Sequence, residues 1–368
     1  MVKSSRLVSL DVFRGITVAF MIIVNTPGSW EYIYPPLMHA KWNGCTPTDM
    51  VFPAFLFVIG ISTWFSLKKY EFQVNKASLF RITRRMIIIF ALGLLLTIFP
   101  YFDRDYNSLR IMGVLQRIAL AYGIGAIICI SVRHDYLWLV AGVLLLAYWG
   151  IMALSGGHDP FSLEGNFALK VDTAILGEKH LYNGFGIPFD PEGLFSTIPA
   201  ICTVIIGFMT GEMMGKGSAT GLSFLKLLLF GASGIGLGLL WNFFFPINKP
   251  LWSSSYVLFT GGVAMVLLSV VYLIVDIFKF QRWATFFVAF GTNALFAFCI
   301  SIIWTKLILF IHFTSGGTSI TLYGWFYEKV CVPVAGNMNG SLLFAIIQML
   351  IVWTPAFLLY RKKIILKA

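Results

Sequence analysis

Charge is what this sequence lacks most. Only 12% of its 368 residues are Asp, Glu, Lys or Arg, against 58% that are hydrophobic, whereas a soluble domain carries about 25% charged residues. The mean hydropathy of +0.83 is more apolar surface than one aqueous core can hide, which excludes the ordinary soluble enzymes. Cysteine is sparse as well. Cys45, Cys129, Cys202, Cys299 and Cys331 form neither a CxxC pair nor a Cys/His metal spacing, so no metal is expected and the thiols read as packing residues. Only Cys45 and Cys331 fall in expected outer loops; a disulfide between them is allowed, with no spacing to support it. No small-residue cleavage site follows the first apolar run, which is therefore retained. With no fixed-period repeat, low-complexity tract or soluble domain, residues 1–368 read as a single transmembrane domain.

What is present is a series of apolar runs near the length of a bilayer crossing, where helices satisfy their own backbone hydrogen bonds. They cover 13–24, 50–67, 86–99, 113–132, 136–154, 194–214, 224–245, 257–278, 286–311 and 342–360. The expected fold is all-α, a polytopic bundle of about ten spans. The first and third runs are short and must extend into flanking polar residues, which puts polar side chains inside the bundle. The net charge of +11 does not suggest nucleic acid, because Lys and Arg sit in short clusters between the apolar runs. One set of loops holds Lys3, Arg6, Lys68, Lys69, Lys76, Arg81, Arg84, Arg85, Arg133, Lys216, Lys279, Arg282, Arg361, Lys362, Lys363 and Lys367. By the positive-inside rule both termini are cytoplasmic, and segments 26–49, 100–112, 155–193, 246–255 and 312–341 face outward.

Several polar groups stand out against this background. Asp11, Arg14 and Asn25 of the first run project within about 60° of one another, and about 16 Å of helix separates Arg14 from Asn25. They either line a cavity or satisfy each other, with Asp11 on Arg14 and Asn25 on a neighbouring helix. In the following loop His39 carries an imidazole that can take a proton or accept an acyl group, or simply meet water. Asp49 either starts the next helix as a capping carboxylate or orients His39. Arg110 and Arg117, at the opening of the fourth span, lie about 20° apart on one helical face and suit the phosphates of a CoA thioester. Pairing with Asp103, Asp105 or the later acidic segment explains them equally well. That segment contains Asp190 and Glu192, which suit sugar hydroxyls or an amine, or form a turn and helix cap.

Taken together, Leu10-Asp11-Val12-Phe13-Arg14-Gly15, Val24-Asn25, His39-Ala40-Lys41-Trp42-Asn43-Gly44 and Asp49-Met50-Val51-Phe52-Pro53 resemble the membrane domain of the heparan-α-glucosaminide N-acetyltransferase family. Arg110-Ile111-Met112-Gly113-Val114-Leu115-Gln116-Arg117, Asp190-Pro191-Glu192-Gly193, Asn248-Lys249-Pro250-Leu251-Trp252-Ser253 and Gly291-Thr292-Asn293-Ala294 extend the resemblance over nearly the whole chain. It implies acetyl transfer from cytosolic acetyl-CoA to a terminal glucosamine across the membrane, with His39 catalytic and Asn25 close to it. Asp11, Arg14, Arg110, Arg117 and Asn293 are then assigned to the donor, and Trp42, Asn43, Asp190 and Glu192 to the acceptor. The lysosomal members carry a luminal domain ahead of the membrane part, whereas this sequence begins almost at its first span. A multi-pass protein of a cell inner (plasma) membrane is therefore expected instead of a lysosomal one. Lys41 stands where the animal enzyme has a small polar residue, which leaves the acceptor open.

The function expected is thus an acetyl-CoA-dependent N-acetyltransferase acting on an amino sugar or oligosaccharide, embedded in lipid, with a homodimer allowed. Its rivals are O-acetylation of a cell-surface glycan and transport of a glycan or lipid carrier. Transport would call for repeated halves with broken helices, and no such symmetry is visible.

Overall fold

A computed structural model describes residues 7–102, 106–156, 158–216, 220–315 and 318–366. Lys3, Arg6, Asp103, Asp105 and Lys367 lie outside them. The helices are α1 (Val8–Asn25), α2 (Val51–Leu67), α3 (Lys76–Ile98), α4 (Val114–Ser131), α5 (Leu137–Ser155), α6 (Phe167–Leu176), α7 (Thr197–Lys216), α8 (Gly221–Trp241), α9 (Ser254–Tyr272), α10 (Ala284–Thr292), α11 (Ala294–Phe310), α12 (Leu322–Phe326) and α13 (Val332–Arg361). A short antiparallel hairpin, β1 (His312–Ser315) and β2 (Thr318–Thr321), interrupts the otherwise helical chain.

Among the described residues eight helices are long and apolar enough to cross a membrane, or nine if α10 and α11 are one bent span. The remaining run, 86–99, belongs to α3, whose first turns carry Lys76, Arg81, Arg84 and Arg85. As expected, α1 and α3 reach beyond their apolar runs into polar residues. At 1.5 Å per residue the 18 residues of α1 span about 27 Å, close to the thickness of a hydrocarbon core. The apolar windows of α1, α4 and α7 are each 67% buried and that of α8 only 17%, which places the first three inside and α8 on the rim. On that rim Leu222, Leu225, Leu229, Phe230 and Leu237 are exposed, the composition a lipid-facing surface requires.

Three details position the polar groups. The backbones of α1 and α10 touch, since a Cβ on Gly15 would lie 1.9 Å from the Phe287 carbonyl oxygen and one on Gly291 would lie 1.9 Å from that of Asp11. The start of α1 has no side-chain cap of its own; the Asp276 carboxylate instead accepts from the N–H groups of Val8 and Ser9 at 3.3 and 3.2 Å, satisfying donors that a helix start leaves orphaned.

The expected continuous span 286–311 is broken. α10 and α11 meet at 83° because Asn293 leaves the helical region (φ −127°, ψ 42°). Its amide donates to Ile364 O at 3.0 Å and its oxygen accepts from Leu366 N at 2.8 Å.

The segment 155–193 is not all loop, since it contains α6. The shared helical face of Arg110 and Arg117 does not exist either: an extended Gly113 (φ −176°, ψ −174°) precedes α4, which begins at Val114. Arg110 therefore lies in the preceding loop. All five cysteines are free, with Cys331 buried at the start of α13, so the Cys45–Cys331 disulfide is absent.

Candidate active site

The loop between α1 and α2 folds around one carboxylate. Asp49 turns back from the start of α2 instead of capping it. Its Oδ2 accepts from Ala40 N and Thr46 N, each at 3.0 Å, and its Oδ1 lies 2.6 Å from His39 Nδ1. The Asp49 side chain is 2% exposed and that of His39 45%. Because a carboxylate only accepts, the proton of this contact belongs on Nδ1, and the lone pair of a neutral ring then sits on Nε2. The capping role expected of Asp49 gives way to orienting His39, because burial makes two backbone donors and an imidazole better partners for a charge than solvent. Tyr256 donates its hydroxyl to Asp49 O from α9.

A second loop, between α8 and α9, clasps the first. Gly44 N donates to Ile247 O at 2.7 Å, and Asn248 Nδ2 donates to Trp42 O and Asn43 Oδ1, both at 3.1 Å. Trp42 also donates to Phe161 O at 2.8 Å and meets Phe185 and Phe189 edge-on at 6.0 and 5.5 Å. Trp42 and Asn43 thus hold the loop in shape. The clasp delivers Lys249, whose Nζ lies 3.1 Å from His39 Nδ1 and 3.5 Å from Asp49 Oδ1. Burial draws the Lys249 ammonium below the ordinary lysine range, against the opposing pull of Asp49 and Glu192. Burial likewise pushes the Cys45 thiol up to about 12, leaving it protonated and inert.

A cavity of about 140 Å³ opens beside these groups, lined by Asn25 and Met21 of α1, Phe55 of α2, Ile118 of α4 and Phe298 of α11, together with His39, Glu192 and Lys249. A single water needs about 10–15 Å³, so the space accepts a small acyl group. Asn25, the last residue of α1, is exposed at this cavity and makes no protein hydrogen bond among the described residues, leaving its amide free to donate.

The acidic segment before α7 is bound elsewhere. Arg110 forks onto Asp190 at 2.8 and 2.7 Å and onto Glu192 at 2.6 Å, with its guanidinium 4.6 Å from the centre of the Tyr182 ring. The Asp190 side chain is fully enclosed and that of Glu192 11% exposed. Of the two, Glu192 reaches the cavity. Arg117 is fully buried. It donates to Gly193 O at 3.0 Å and to Ser196 Oγ, and stacks 5.0 Å from the Trp252 ring.

Asp11 and Arg14 sit at the opposite end of α1, 3.1 Å apart, and Arg14 also donates to Gly291 O at 2.9 Å and Ser62 Oγ at 2.6 Å. The structure therefore brings His39, Asp49, Asn25 and Glu192 to one end of the bundle. Asp11, Arg14 and Asn293 gather at the opposite end, where α1 begins and residues 364–366 lie. Lys249 and Asn248 escaped the site reading although their motif was noted. The available signal was a lysine in a short loop expected to face outward, where cations are scarce.

A helical membrane bundle with a histidine–carboxylate pair beside a cavity defines the class. The family described as heparan-alpha-glucosaminide N-acetyltransferase, catalytic, matches residues 6–233, and the chain belongs to it. Among curated relatives, heparan-alpha-glucosaminide N-acetyltransferase of Homo sapiens is 28% identical over 80% of this chain and 52% of its own length. The Mus musculus protein of that name is 26% identical over 80% of this chain and 53% of its own. The chain spans about half the length of the curated relatives it matches.

Proposed function

We propose that the chain transfers acetyl from acetyl-CoA to the amine of a glucosamine-like sugar across a membrane, with His39 as the central group. The observation that carries this reading is the 2.6 Å contact of His39 Nδ1 with Asp49, which leaves Nε2 as a base beside a cavity shared with Asn25. In direct transfer the acceptor nitrogen attacks the thioester carbonyl and its proton passes to Nε2, while the C–S bond breaks and CoA leaves as a thiol after protonation. In the two-step route Nε2 forms the new C–N bond first, and the sugar amine then displaces the ring. Either way the carbonyl oxygen becomes an oxyanion, for which the Asn25 amide is the free donor.

The donor enters from the cytoplasmic end, where Arg14 and Asp11 lie, and the acceptor from the outer face near Trp42, Asn43 and Glu192. Asp190, Arg110 and Arg117 support that face from behind, and Asn293 shapes the donor end through the C-terminal segment. The setting is a cell inner membrane.

Purified protein in detergent, given labelled acetyl-CoA and a panel of amino and neutral sugars, tests the reading. Label is expected on amino sugars only, and lost in His39→Ala. Transfer to neutral sugars alone would overturn N-acetylation, and undiminished transfer by His39→Ala would overturn the site. Labelled acetyl-protein formed without sugar selects the two-step route.

A further inference from the structure

We propose that the first half of α3 binds one anionic phospholipid, its headgroup phosphate held by Arg81, Arg84 and Arg85 and its acyl chains laid along the apolar strip that continues from them. The stretch 68–85, which joins α2 to α3, carries six cations, Lys68, Lys69, Lys76, Arg81, Arg84 and Arg85, against the single acid Glu71. None of the six has a carboxylate partner among the described residues. Elsewhere at this end of the bundle the cations are paired: Arg133 meets Asp135 at 3.2 Å and Lys216 meets Glu212 at 2.6 Å.

The three arginines form one group. As residues i, i+3 and i+4 of a helix they project within about 100° of one another, close enough for two guanidinium forks to reach one phosphate. Arg85 is held against α4, its guanidinium 4.7 Å from the centre of the Tyr122 ring, and its buried Nε has no partner among the described residues. Arg81 lies beside the Tyr70 hydroxyl, and the Lys69 ammonium sits 4.6 Å from the centre of the Tyr70 ring, so the 68–70 turn and α3 present one basic surface. Like charges three and four residues apart repel. The capping box of Asn75 and Ser78 that starts α3 supplies no charge to offset them, and an anion from outside the chain does.

The face itself selects a lipid over a soluble phosphate. Arg84 is exposed, and Ile87, Ala91 and Leu95 follow it as exposed residues on the same side of the helix; Ile87 and Leu95 are 58% and 59% exposed. From Arg84 to Leu95 the helix rises about 16 Å, half the thickness of a hydrocarbon core. A charged head that runs directly into an apolar strip one leaflet long has the shape and polarity of a phospholipid, and the bare cations give it an anionic one.

Native mass spectrometry of the full chain, released from detergent with phosphatidylglycerol and phosphatidylcholine of identical acyl chains in equal amounts, tests the proposal. Wild type is expected to retain one phosphatidylglycerol over phosphatidylcholine by at least about tenfold, since each cation near an anionic headgroup is worth about fivefold. Arg84→Gln alters an exposed side chain without a hydrogen bond among the described residues, so its fold should persist while the ratio falls about fivefold. The triple variant R81Q/R84Q/R85Q should bring the ratio close to one. An unchanged ratio in Arg84→Gln would overturn the site. So would an equal fall in K279Q/R282Q, which removes two exposed cations from the same end of the bundle and reports diffuse surface charge. Displacement of the lipid by acetyl-CoA or by glycerol phosphate would overturn it in favour of a site for soluble phosphates.

Discussion

At the end of the bundle where α1 begins and residues 364–366 lie, Arg14 gives its terminal nitrogens to Asp11, Gly291 and Ser62, and Asn293 donates to Ile364 O and accepts from Leu366 N. At the other end, Asn25 and His39 line a cavity, and neither the Asn25 amide nor His39 Nε2 has a protein hydrogen-bond partner among the described residues. Arg110 shares that second end yet behaves like the first, bonded to Asp190 and Glu192, and Arg117 bonds Gly193 and Ser196 through Nη2 while its Nε and Nη1 are buried without a hydrogen-bond partner among the described residues. Residue type does not separate the two groups; a place at the cavity wall does. A polar side chain paired inside a low-dielectric bundle holds helices and loops together, whereas one left unpaired at a cavity is available to a substrate.

The comparison breaks first at His39. His39→Ala should lower acetyl transfer at least about hundredfold while leaving the melting temperature in detergent nearly unchanged, because a half-exposed loop ring packs little. A comparable loss of melting temperature would place His39 with the structural groups.

Arg110→Met should do the reverse. It leaves Asp190 and Glu192 side by side and unpaired at a buried site, a change that costs about 3–5 kcal/mol, so a clear drop in melting temperature is expected with kcat per folded molecule largely kept. An unchanged melting temperature with lost transfer would assign Arg110 to substrate.

Arg14 sharpens the comparison, since it is paired and also lies at the proposed donor entrance. Arg14→Met is expected to raise KM for acetyl-CoA about tenfold and KM for the sugar little, as loss of a uniform binding contact does. Equal changes in both would make it purely structural.

The smallest effect concerns Asp172 of α6, which accepts from Phe195 N at 3.0 Å beneath the acidic segment. Burial raises its carboxyl from 3.8 to about 6, so the folded chain holds this proton more tightly than the unfolded chain. The stability this contributes is complete below pH 3.8 and is lost as pH rises through about 6. Asp172→Asn keeps the acceptor oxygen and removes the titration. Its melting temperature relative to wild type should rise by a few degrees between the two ends of that window and then level off; a flat difference would refute the assignment.

Much was legible before any coordinates. The apolar runs are local, about 20 residues each, and lipid imposes a length and polarity rule that a sequence displays directly. The grouping of Asn25, His39 and Asp49 was readable for the same reason, since α1 and the loop after it place them within a short stretch of chain. Where the reading fell short, the cause was distance along the chain or backbone geometry. Arg110 and Arg117 parted because one extended glycine delays α4, and the span through Asn293 broke because its amide bonds a segment 71 and 73 residues away.

The sequence by itself determined a helical membrane protein and its family, because hydropathy and motif order are properties of neighbouring residues. Only the tertiary structure decided which polar groups are used up and which remain free. Lys249 meets His39 across 210 positions, and no local pattern encodes a contact that depends on how α8 and α9 pack and how the loop between them is clasped.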